Sequence, residues 1–158
     1  MRIVFWVMAA VLAQQLAGTS GALGTLRAQQ PASGSKAALD FEYFKTQVQP
    51  VFLTKRPGYT RCVVCHSGGG GGAGFLQPLT PGATTWTEEQ SRKNFDAVSR
   101  LVMAGQPMKS RLLTHPLEPT AGGDEFHNGG RQFTSQTDPQ FLTIAAWVSG
   151  KTAGPVGR

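Results

Sequence analysis

Between Asp40 and Phe52, apolar side chains return at Phe41, Phe44, Val48, Val51 and Phe52, a spacing of three and four residues that predicts an amphipathic helix with Pro50 near its end. A second helix is predicted from Glu88 to Met103. Thr87 followed by Glu88, Glu89 and Gln90 has the form of a capping box, Phe95, Val98, Leu101 and Val102 supply the apolar stripe, and Gly105 and Pro107 stop it. Pro107 to Leu113 reads as one further short helical stretch. In the last helix Asp138 caps and Pro139 starts the first turn. Phe141, Leu142, Ala145, Trp147 and Val148 can face a core, and Gly150 closes the helix. No convincing alternation of apolar and polar positions marks a strand, and no internal repeat is visible. The pattern predicts a mostly α-helical domain with long loops.

Ahead of that domain the pattern changes. Met1 and Arg2 form a short positive start, an apolar run follows from Ile3 to Leu12, and small residues gather around Ala17 to Ala22 and again at Ala28. This order predicts a secretory signal peptide over residues 1–28, cleaved between residues 22 and 28, and hence a periplasmic or otherwise exported protein. The apolar run is short of the roughly 20 residues that span a membrane, although an uncleaved anchor or a buried helix remains the alternative. No cysteine lies near the cleavage region to take a lipid. Residues 29–38 read as a polar linker, 39–151 as the folded domain and 152–158 as a flexible tail.

Composition adds two constraints. With 158 residues there is room for one modest domain beside a targeting segment, and 20 Gly and 10 Pro fit a small core surrounded by loops. The net charge is +6, and removing Arg2 and Arg27 with the leader lowers it to +4. Those charges are scattered, with no basic stripe or interleaved aromatics, so nucleic acid is not an expected partner.

Long loops in a small domain bury little apolar surface, and a bound cofactor is one way to hold them. Cys62-Val63-Val64-Cys65-His66 provides for one, because this spacing is the signature of covalent haem attachment. Two thiols three residues apart reach the two vinyl groups of one porphyrin, and the adjacent His66 is delivered to the iron as proximal ligand. Three other uses of the pair compete. A disulfide across so short a loop constrains little of the unfolded chain. A thioredoxin-like redox pair calls for a βαβ pattern that is not visible. Zinc would need Cys62, Cys65 and two of His66, His115 and His127. The glycines from Gly68 to Gly72, with Gly74, lack the Lys-Ser/Thr ending of a phosphate loop and read as a flexible loop beside the haem. Gly122-Gly123-Asp124-Glu125-Phe126 spells the diguanylate cyclase signature, but Pro116 and Pro119 stand where a flanking strand would be needed, so the match is read as coincidence.

From about Phe41 to Gly150 the chain resembles the single-haem cytochrome c domains common in planctomycetes and acidobacteria, which are class I cytochrome c-like. The likeness rests on Phe44 and Val48-Gln49-Pro50-Val51-Phe52 ahead of Cys62 to His66, on Lys109-Ser110-Arg111-Leu112-Leu113, on His127-Asn128-Gly129-Gly130, and on Ala146-Trp147-Val148-Ser149-Gly150. It implies a cytochrome c-like fold whose loops wrap one covalent haem c, and whose first and last helices cross so that Phe44 or Val48 meets Trp147. It also implies His127 as distal iron ligand, in the place where many relatives carry Met-Pro. Met108 is the first alternative, with Met103 and His115 as further competitors.

With both axial positions filled, such a protein carries electrons and is not an enzyme. Its partners are then redox proteins, among them a membrane or periplasmic oxidoreductase, with no small-molecule substrate. An open distal site would instead make it a catalytic or sensing haem protein. Backbone carbonyls near Gln77 to Pro81 are the expected acceptors for the second ring nitrogen of His66.

Overall fold

The computed structural model describes residues 38–68 and 74–154. The expected signal peptide, nearly all of the linker, most of the glycine loop and the end of the tail lie outside the described residues. Those that are described belong to one unit within Ser33–Arg158, and none of their helices is long and apolar enough to cross a membrane.

Helix predominates. The first helical run passes without interruption from α1 (Phe41–Tyr43) through a π-helical turn (Phe44–Val48) into a 3₁₀ stretch (Gln49–Leu53). One helical turn, α2 (Cys62–His66), carries the cysteine motif. Then come α3 (Glu88–Ser99), a 3₁₀ turn (Pro107–Lys109), α4 (Arg111–Thr114), a 3₁₀ turn (Pro119–Ala121) and α5 (Pro139–Val148). Among the described residues β pairing is confined to the isolated bridges Ser67–Leu76 and Leu117–Phe133.

Local chemistry accounts for the boundaries. The Asp40 carboxylate accepts from the Tyr43 N–H at 2.6 Å and opens the first run. Pro50 has no N–H, and its ring would meet the carbonyl of Thr46 in a regular α-helix. The backbone widens into the π turn immediately before it, where the Gln49 N–H reaches Phe44 O. The Thr87–Gln90 capping box is present in both directions.

Helix α3 stops at Ser99, short of the predicted Met103. The Ser110 hydroxyl takes the Met103 N–H at 2.9 Å, and the chain tightens through Leu101 N–H to Val98 O and Val102 N–H to Ser99 O. In α5 the buried stripe is Phe141, Ile144, Trp147 and Val148, whereas Leu142, expected to face the core, is 52% exposed. Asp138 and Pro139 fix the start of α5, and position 142 then falls about 100° round the helix from Phe141, off the stripe that repeats every three to four residues.

The core joins the two ends of the domain. Trp147 is fully buried, and its ring centre lies 5.2 Å from that of Phe44 and 6.0 Å from that of Phe95. Its indole N–H donates to Asp40 O at 2.9 Å, so the last helix is pinned to the cap of the first run. The Phe44–Trp147 contact implied by the resemblance is therefore present. At the other end of α5, Arg56 pairs with Asp138 and its Nη1 reaches Gln140 Oε1 at 3.0 Å. This fastens the segment leading to the cysteine motif onto the start of the last helix.

Candidate functional site

Beside this core opens a cleft of about 640 Å³, within the range of roughly 300–1,000 Å³ usual for cofactor sites. Its floor is apolar, with Val51, Phe52, Leu101, Leu112, Phe133 and Ile144, and along its walls lie Cys62, Cys65, His66, His115 and His127.

Helix α2 packs against the 3₁₀ stretch Gln49–Leu53, with Val63 buried in the core and the Ser67 hydroxyl bonded to Val63 O at 2.5 Å. One turn of helix places residues i, i+3 and i+4 on the same face, so Cys62, Cys65 and His66 share the face turned to the cleft. Both thiols are free. Burial pushes the Cys62 thiol above its ordinary pKa, with Arg56 nearby pulling it the other way, while Cys65 is exposed at the rim. After the motif the chain returns along it, Leu76 N–H to His66 O at 2.9 Å, and lays the Phe75 ring on His66 with 4.5 Å between ring centres. That return strand of chain is anchored by the Asn94 side chain, which accepts from Gln77 N–H at 2.6 Å. Of the carbonyls expected to serve His66, Gln77 O accepts from the Trp86 indole and Pro78 O from Gln90.

Across the cleft stands His127. Its ring centre is 6.3 Å from that of His66 and the two planes differ by 26°. Its Nδ1 donates to Gly130 O at 2.5 Å, which leaves the Nε2 lone pair available as a ligand. Burial lowers the His127 pKa from the ordinary value, with the Gly130 bond acting in the opposite direction, so the neutral, ligating form is favoured. Gly130 has φ of +79°, the left-handed region that glycine enters without strain. His115 also reaches the cleft, edge-on to His127. Met108 and Met103 are not among the residues lining it; Met108 lies against Gly122, and both side chains are exposed.

No protein-family model, curated protein or solved structure matches the chain. The site is therefore judged on its own geometry. An iron bonded in line to one nitrogen of each ring, at about 2 Å per metal–imidazole bond and about 1.2 Å from nitrogen to ring centre, would place the two centres about 6 Å apart. The observed distance between the ring centres, 6.3 Å, is of that size. Among the described residues no three Cys, His, Asp or Glu side chains converge as a zinc site requires, whereas a haem iron asks the protein for only two ligands. Phe75 and Arg61 carry no motif signal in the sequence, and Arg111, although part of Lys109-Ser110-Arg111-Leu112-Leu113, gives no sign there that it reaches the cleft.

Proposed function

We propose that this chain is an exported c-type cytochrome with a cytochrome c-like fold, holding one haem through Cys62 and Cys65 and carrying single electrons. The observation that carries the reading is that His66 and His127, with ring centres 6.3 Å apart, line one largely apolar cleft together with the two cysteines. When bound, the haem supplies an iron that accepts and returns one electron.

The chain's own residues determine how that electron is held. Cys62 and Cys65 fasten the group covalently on the face that delivers His66. Phe75 fixes the His66 ring from the side, and Gly130 O fixes the tautomer of His127. Phe52, Leu112 and Ile144 exclude water from the floor. Two imidazoles favour a lower reduction potential than a histidine–methionine pair. Arg61 and Arg111 line the same cleft and would supply cations to the carboxylates of a bound haem. Were His66 and His127 both to hold the iron, no coordination site would be left for a substrate, which favours a carrier over an enzyme. With the leader removed, a net charge of +4 suits docking to acidic patches on an exported or membrane oxidoreductase.

The test of covalent attachment is a haem stain after denaturing electrophoresis of the protein expressed with its leader and a c-type maturation system. The wild type is expected to stain, and the protein with both Cys62→Ser and Cys65→Ser to lose the stain. A double variant that stains as strongly as wild type contradicts the proposal.

A further inference from the structure

Building on the reading of His66 and His127 as iron ligands, we propose that His115, held by Asp124, is a positioning residue that sets the ring plane of His127.

The bond from Nδ1 to Gly130 O fixes the tautomer of His127 and, together with the Cβ–Cγ bond, its mean ring torsion, but one hydrogen bond at the ring edge resists twisting only softly. Packing against the ring stiffens it. The His115 ring supplies that packing, lying edge-on to His127 at 86° with 4.9 Å between centres, on the same cleft wall.

His115 is itself fixed. Its Nδ1 bonds Asp124 Oδ2 at 2.9 Å, and the Asp124 backbone N–H bonds Thr114 O, also at 2.9 Å, so the acidic residue is fastened to the end of α4 from which His115 projects. Arg131 reaches Glu125 O with one guanidinium nitrogen and His115 O with the other, tying the far side of the loop to the same point. Gly123 permits the close approach this needs, since a Cβ there would lie 2.0 Å from Leu117 O. The Gly-Gly-Asp-Glu-Phe segment thus has a structural use of its own: it brings Asp124 to His115 and Phe126 to the cleft mouth.

The consequence is electronic as well as steric. The planes of His66 and His127 lie within 26° of one another. In low-spin ferric haem, near-parallel axial imidazoles separate the iron d orbitals and give a rhombic electron paramagnetic resonance spectrum, whereas crossed planes give a spectrum dominated by one large g value. Loss of the His115 wall lets the His127 plane turn and weakens its hold on the iron.

The experiment compares the full haem-loaded chain as wild type, Asp124→Ala, Asp124→Asn and His115→Ala. Wild type is expected to give the rhombic spectrum. Asp124→Ala and His115→Ala should shift toward the large-g form, and added imidazole should displace His127 about tenfold more readily, at the low end of the 10–100-fold usual when a ligand's supporting group is lost. Asp124→Asn, which keeps a hydrogen-bond acceptor for His115, should restore the wild-type spectrum. Asp124 is partly exposed, so its variants test the proposal even if His115→Ala does not fold. Unchanged spectra and imidazole displacement in Asp124→Ala overturn the positioning role while leaving the haem reading intact. A wild type lacking a low-spin bis-imidazole signal overturns the ligand assignment on which the role rests.

Discussion

Asp138 does two jobs with one carboxylate. It accepts from the Gln140 and Phe141 N–H groups at the start of α5, and it pairs with the Arg56 guanidinium. The Arg56 hydrogen bond, first, and the two backbone donors hold its pKa below the ordinary carboxylate value, against the opposing effect of burial. A depressed carboxylate stabilises the fold above its unfolded pKa of about 3.9, and that contribution is lost as pH falls through the folded value. Urea midpoints should therefore drop below about pH 4 in the wild type, with a shallower drop in Asp138→Asn. At neutral pH, Asp138→Ala should cost about 1–2 kcal/mol through loss of the cap alone, measured by the same unfolding curves. Gly123 is the second sensitive residue. A methyl group there collides with backbone rather than with a movable side chain, so Gly123→Ala should destabilise by about 1–3 kcal/mol and loosen the loop bearing His127. At this scale Cys62, Cys65 and His66 stand in a local motif, whereas His127 was named only through the resemblance. His115 entered only as a competing ligand, since nothing in its neighbours shows that Asp124 and His127 converge on it.

At the level of elements, propensity and capping accounted for what periodicity predicts, and long-range partners accounted for the departures. Thr87–Gln90 and Asp138–Pro139 start their helices where the pattern places them. The early end of α3 depends on the hydroxyl of Ser110, a residue beyond the helix that no window of local sequence connects to Met103. The π turn before Pro50 follows from a proline inside an otherwise continuous apolar stripe, which the sequence displays, but its widening is a backbone response that periodicity does not describe. Among the packing contacts, that of Trp147 with Phe44 and Phe95 joins the largest side chains and includes the hydrogen bond to Asp40 O. Trp147→Ala should cost about 3–5 kcal/mol in chemical denaturation, and Trp147→Phe should lose less, chiefly the indole bond.

For the molecule as a whole, the mostly helical class was legible because three apolar stripes at helical spacing and the caps at Thr87 and Asp138 agree with one another. The cleft was legible only in part. Its cysteine edge is a sequence motif, whereas its apolar floor is assembled from the 3₁₀ stretch, the turn after α3, α4 and α5, residues far apart in the chain. Among the described residues no three Cys, His, Asp or Glu side chains converge as a zinc site would need, and the ring centres of His66 and His127 lie 6.3 Å apart. The most direct measurement is the absorption spectrum of the haem-loaded wild type and His127→Ala, each with and without carbon monoxide. The account predicts a six-coordinate low-spin wild type unchanged by carbon monoxide, and a His127→Ala variant that turns high-spin and binds it. A wild type that binds carbon monoxide, or a His127→Ala variant that keeps the low-spin spectrum, would contradict it.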